Sequence, residues 1–155
     1  MSYDIYLFKK LENKTVRESA AIVLESNINA LDSKHFELQK KALSEKLKSA
    51  NPKFNEFNPD NHLQLLSNEP GIQVYVSQNQ IAVSVPYWHT DQEGEKIFTE
   101  FFKYLRIIRE ETGYSIYDAQ IGAEMIIDQS VEKFLLKYLG VSENLETIVQ
   151  NIPKS

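Results

Sequence analysis

Two runs of alternating residues, separated by a short polar stretch, restrict this chain more than any other feature. Ile72, Val74 and Val76 alternate with Gln73, Tyr75 and Ser77; after Gln78-Asn79, Ile81, Val83 and Val85 alternate again. A period of two belongs to a strand with one buried face, and two β-rich runs around a short polar turn form a hairpin. Pro86 ends its pairing capacity, because proline has no N–H to donate to a ladder. A hairpin alone is unstable in water, so this one needs further strands or helices against its apolar face.

The rest of the chain supplies both. Ser2–Phe8 reads as a strand with Tyr3, Ile5 and Leu7 on one face and Asp4, Tyr6 and Phe8 on the other. Bulk on both faces favours an interior position. Thr15 and Glu18 form a T-x-x-E capping box, and Val16, Ala20, Val23 and Leu24 follow at helical spacing, ending near Ser26–Asn27. A second helix begins after Asp32 or Ser33 with Phe36, Ala42, Leu43 and Leu47 as its stripe, and Asn51-Pro52 closes it. From Pro52 to Gly71 the chain is rich in Asn, Pro and Asp and reads as a long connection, with one short helix over Asp60–Leu66. Thr90 to Glu93 forms another capping box, opening a core helix over Glu93–Thr112. Its stripe is Ile97, Phe98, Phe101, Phe102, Leu105 and Ile108, and Gly113 is placed to end it. Tyr114–Asp118 is a strand, and Glu124–Ile127 is a further one after a turn at Gly122. Asp128 caps a last helix with the stripe Val131, Phe134, Leu135, Tyr138 and Leu139; a frayed end begins near residue 151.

The order β-α-α-β-β-α-β-(β)-α predicts a single α+β domain over residues 1–155. Its expected architecture is a small, mostly antiparallel sheet of four to five strands, with amphipathic helices packed on one face. The composition allows this: 42% hydrophobic content and 17 aromatic residues suffice for a core without cross-links. There is no cysteine, which excludes disulfides, thiolate metal sites and a cysteine nucleophile and suits a reducing, cytoplasmic setting. No signal-length or membrane-length apolar run occurs.

Motif chemistry is sparse. His35, His62 and His89 form no metal-binding spacing, the five glycines are isolated, and no serine sits in a G-x-S-x-G context. No cofactor is therefore expected. The net charge of −5, from 22 acids against 17 bases, argues against nucleic acid as partner. The lysines of Lys34–Lys53 read as the solvated face of a helix.

The segment most suggestive of a site is Tyr87-Trp88-His89, where a strand gives way to a helix. Tyr114, Tyr117 and Gln120 flank the strand after the core helix and can converge on it. With Asp118 or Asp4, His89 would form an acid–base pair, the basis of an enzyme or ligand-binding reading. In the simpler reading Tyr87 and Trp88 cover the core, His89 bonds locally, and the aspartates satisfy backbone amides. The acids Asp91, Glu93, Glu95, Glu100, Glu110 and Glu111 decorate the core helix and its entry. Beside aromatic side chains they predict a surface for another protein, basic in charge. A homo-oligomer with a structural role is the third reading.

Three stretches, S-Y-D-I-Y-L-F at the start, V-P-Y-W-H, and F-K-Y-L-R-I-I-R-E-E-T-G-Y-S-I-Y-D-A-Q, together resemble a group of short uncharacterised bacterial proteins. That resemblance covers most of the chain and implies a bacterial origin, but it carries over no activity or functional residue. In size and charge the chain also resembles the immunity partners of bacterial toxins. This second likeness implies a non-enzymatic cytoplasmic protein that binds another protein.

Overall fold

The computed structural model describes residues 2–68, 71–86 and 91–127. In chain order these form β1 (Ser2–Phe8), α1 (Val16–Val23), α2 (Ser33–Ala50), β2 (Asn55–Phe57), β3 (Leu63–Asn68), β4 (Gly71–Val76), β5 (Gln80–Pro86), α3 (Asp91–Thr112), β6 (Ser115–Asp118) and β7 (Ala123–Glu124), with a 3-10 turn at Pro59–Asn61. The strands make one seven-stranded sheet, in the order β2-β3-β4-β5-β1-β6-β7. Every neighbouring pair is antiparallel. The fold is α+β.

The hairpin forms as its alternation dictates, with Val74 opposite Val83 and Val76 opposite Ile81. β1 is interior, paired with β5 on one side and β6 on the other. The sheet is larger than the expected four to five strands, because the Pro52–Gly71 stretch holds β2 and β3 rather than a long connection with a helix over Asp60–Leu66. Leu63 and Leu65 are buried while Gln64 and Leu66 stay half-buried, a period of two that the surrounding Asn, Pro and Asp obscure. Pairing with β4, Leu65 opposite Val74, is what makes this segment a strand. All three residues of β2 are exposed, so no hydrophobic pattern announces it. β7 covers Ala123–Glu124 instead of Glu124–Ile127; Met125 and Ile127 turn into the core.

The caps predicted at Thr15, Asp32 and Gly113 form, while those at Thr90 and Asp128 lie outside the described residues. Thr15 N–H donates to Glu18 Oε1 at 2.9 Å, and Glu18 N–H donates to Thr15 Oγ1 at 3.1 Å. Asp32 Oδ1 accepts from His35 N–H at 2.8 Å. Gly113 takes φ +72° and donates to Arg109 O at 2.7 Å, ending α3 where only glycine is unstrained. α1 stops at Val23, a residue short of the expected stripe and ahead of Ser26–Asn27.

Residues opposite one another in an antiparallel pair share a face. Tyr3, Ile5 and Leu7 therefore line up with Val85, Val83 and Ile81. Together with Ile72, Val74, Val76, Leu63 and Leu65 they form the core face. Against it pack Phe36, Leu43 and Leu47 of α2 and Ile97, Phe98, Phe101, Phe102, Leu105 and Ile108 of α3. The helices are not all on one side, however. α1 lies on the opposite, outer face, where Val16, Ala20 and Val23 bury Phe8 in a second, smaller cluster with Tyr6 and Tyr117 at its margin. The even-numbered bulk of β1 requires this second layer.

Two buried groups on the core side were not signalled by periodicity. Tyr104 is fully buried and donates to Glu100 Oε2 at 2.7 Å; burial, then the bond to Glu100, pushes its hydroxyl well above the usual range. Lys40 departs from the solvated helix face. It is 8% exposed, its ammonium lies 4.5 Å from the centre of the Phe36 ring, and it bonds to Asn61 O and Glu37.

Candidate functional site

α1 covers the outer face only over β1, β6 and β7. Over β2 to β5, no described helix lies on that face. Its residues follow from the register: Asn55 and Phe57 on β2, Gln64 and Leu66 on β3, Gln73 and Tyr75 on β4, Gln80, Ala82 and Ser84 on β5. None is charged, in a chain whose charged content is 25%. Phe57 is 49% exposed, and the β3–β5 members are half-buried by their sheet neighbours.

A cleft of about 550 Å³ opens where this face meets the chain leaving α1. Leu24, Glu25, Ser26 and Asn27 form one wall, and His62, Tyr75, Gln80 and Ala82 form the sheet side. The turn Ser77–Asn79 closes the end and is tied to the opposite wall. Buried Asn79 donates through Nδ2 to the carbonyls of Val23, Ser26 and Ile28 at 3.1, 2.7 and 3.2 Å. Leu31 N–H donates to Gln78 O at 2.9 Å. These bonds hold the wall against the sheet, alongside Leu24, which packs on the Phe8 cluster.

On the sheet side, His62 Nδ1 lies 2.6 Å from the Tyr75 hydroxyl and the two rings meet edge to face, 5.4 Å between centres. This contact fixes the Tyr75 ring against the imidazole. His62 is delivered to this position by a tight reversal in which Asp60 and Asn61 adopt φ +50° and +66°. Asp and Asn tolerate the left-handed region better than other side-chain-bearing residues. Lys40 secures the reversal through Asn61 O.

The residues singled out in the sequence do not assemble. Tyr87, Trp88 and His89 lie outside the described residues, as do the last helix and the frayed end. Asp118 and Asp4 are on opposite faces of the sheet, Asp118 facing Ile5 across the β1–β6 ladder. Asp118 is fully buried; it accepts from the Tyr3 hydroxyl and, at 2.9 Å, from Gln120 N–H. Tyr114 is 8% exposed and belongs to the core, so it offers no contact surface; its hydroxyl meets Gln39 Nε2 at 3.4 Å. Tyr117 points to the other face, half-buried against Phe8 with ring centres 6.2 Å apart. Glu110 is exposed on α3, but neighbouring Glu111 pairs with Lys46. Glu100 holds the Tyr104 hydroxyl and faces Lys103 at 4.0 Å. The described part of the acidic surface is thus partly neutralised by its own lysines.

His62, Tyr75 and Phe57 were not among the expected site residues. One signal for them was present, the uncharged outer positions of the hairpin, since Gln73, Tyr75, Ala82 and Ser84 alternate with the core valines and isoleucines. Among the described residues no group of three or more His, Asp or Glu could hold a metal ion. None of the described helices is long and apolar enough to cross a membrane. Compared with known protein families, characterised proteins and solved structures, the chain matches none.

Proposed function

We propose that this chain is a non-enzymatic protein-binding domain of a bacterial cytoplasm, an immunity-type or regulatory partner of another protein, and that it binds through the outer face of β2 to β5, which no described helix covers. The observation that carries this reading is the absence of charge across that face. The cores of protein interfaces are depleted in charged residues and enriched in Tyr and Phe, and Phe57, Leu66, Tyr75 and Ala82 set among amides and a serine have that character. Acids lie beside it: Asp4 on the neighbouring strand and Glu25 at the cleft. Together with the net charge of −5, they favour encounter with a basic partner.

The size of the face bears on the partner. Four strands about 4.8 Å apart, each about five residues long at 3.3 Å spacing, offer a flat area on the order of 300 Å². A stable interface covers roughly 800 Å² on each partner. Two copies meeting by this face alone fall well short, so a partner that extends past it, along the adjoining cleft, fits better than a homodimer. The enzyme reading, His89 with Asp118 or Asp4, draws no support from Asp118, whose oxygens are engaged with Tyr3 and Gln120 inside the core.

Affinity capture with wild-type protein, Leu66→Glu, Tyr75→Glu and Leu38→Glu tests the proposal. Leu38 is 58% exposed on α2, away from the face, and serves as the control. A partner recovered by wild type and by Leu38→Glu, and reduced about tenfold or more by both face variants, is the expected result, since an unpaired charge in an interface core costs well over 1.4 kcal/mol. Equal recovery by all four proteins, or recovery of no partner, overturns it.

A further inference from the structure

We infer that the cleft beside α1 is the specificity pocket of this interface and that it takes the guanidinium group of an arginine on the protein partner. The inference rests on the binding reading above and adds the chemistry of the partner. Its first ground is charge. Glu25 is the cleft's carboxylate, and no described lysine or arginine lines it, so a cation would find a counter-charge there.

The second ground is the end of α1. A helix C-terminus carries a partial negative charge that basic side chains of the last turn usually offset. α1 has none there. Its terminal carbonyls are capped by neutral donors, Ser26 Oγ to Ile22 O at 2.7 Å and Asn79 Nδ2 to Val23 O at 3.1 Å. These meet the hydrogen-bonding need without bringing a formal positive charge to the helix end. Leu24, Glu25 and Ser26, the residues at that end, are the cleft wall.

The third ground is the opposite wall. The Tyr75 ring lines the cleft, held in place by its bond to His62, and an aromatic ring attracts a cation placed over its face. A planar guanidinium stacks there and donates sideways to carboxylate and carbonyl groups, as a compact ammonium does less well. The 550 Å³ volume accommodates an arginine side chain with its water. Arginine is also among the residues that most often anchor interfaces.

The test is a two-dimensional amide NMR titration of the full chain with N-acetyl-arginine amide, and with N-acetyl-citrulline amide as the uncharged isostere. Saturable shifts at Glu25, Tyr75 and Ala82 are expected, with a Kd on the order of 10 mM for so small a probe, and the citrulline compound at least about tenfold weaker. Glu25→Gln weakens the arginine probe about threefold, while Tyr75→Phe, which keeps the ring, changes it by less than about twofold. Equal shifts with both probes, shifts confined to other residues, or none up to about 100 mM overturn the inference. The two proposals fail separately. Loss of the partner in Leu66→Glu with no response to the arginine probe removes the pocket and leaves the face. A response to the probe alongside unchanged capture by Leu66→Glu removes the face.

Discussion

The two faces of this sheet are made by the same strands, from residues that differ only in being odd or even along the chain. On the core face, Leu65, Val74 and Val83 sit in a row across three strands and are fully buried. One residue away on each strand, Leu66, Gln73 and Ser84 form a row on the outer face, half-buried. The first row is held by α2 and α3, the second by no described element. Burial against helices makes the same backbone a source of stability on one side, and on the proposed reading leaves it for contact on the other.

Adjacent leucines give the strongest test of that contrast. Leu65→Ala removes fully buried methyl groups and is expected to cost about 3 kcal/mol, seen as a lower midpoint in urea unfolding. Leu66→Ala, on the outer face, should cost less than about 1 kcal/mol. Similar losses for both would mean that the outer face is covered, and would remove it as a contact surface.

Next in size is the polar pair inside the core. Tyr3→Phe takes a hydroxyl donor from the fully buried Asp118, and leaving a buried acceptor unmet costs about 2 kcal/mol. Asp118→Asn with Tyr3 intact should cost less, since Asn can still accept through its carbonyl oxygen. The reverse ranking would show that Asp118 does more than hold the strand end.

Thr15→Ala removes the side-chain half of the α1 capping box and should cost about 1 kcal/mol. α1 covers only the Phe8 side of the outer face. Faster amide exchange in α1 with little change in β3–β5 would confirm that the two halves of that face are stabilised separately.

The smallest effect is expected at the sheet edge, where Glu56 of β2 meets α2. Lys48 at 2.7 Å, then the Ser44 hydroxyl and the Asn58 amide, hold its carboxyl at about 2 against an ordinary 4.5. A depressed carboxyl pKa stabilises the fold above the unfolded value and loses that contribution as pH falls from 4.5 towards 2. The side chain is 30% exposed, so solvent screening limits the contribution to about 1 kcal/mol or less. Glu56→Gln should flatten the acid limb of the stability profile by that amount and leave stability at pH above 6 lower by no more than this.

What could be read in advance divides along physical lines. The hairpin, the Thr15 and Asp32 caps, the Gly113 stop and the interior place of β1 were legible, because each rests on residues close together in the chain. β3 was hidden by its neighbours' composition, and β2 had no buried residue to mark it. For the site the position is reversed. Tyr114 and Tyr117 are three residues apart and read as one cluster, yet the strand between them sends one into the core and the other to the opposite face. His62 and Tyr75 are thirteen residues apart, and the β3–β4 pairing brings them together.

The sequence by itself determined which residues seek burial, where α1 and α2 begin and where α2 and α3 end, since hydrophobic period and capping act within a few residues. Only the tertiary structure decided which strands are neighbours, which helix covers which face, and how much of the outer face the described helices cover. Those outcomes depend on contacts between distant segments, and no local pattern encodes the alignment of Leu66, Gln73 and Ser84 into one uncharged row. That row and the cleft on the same face, with Glu25, Tyr75 and the terminus of α1, exist only once the sheet has formed.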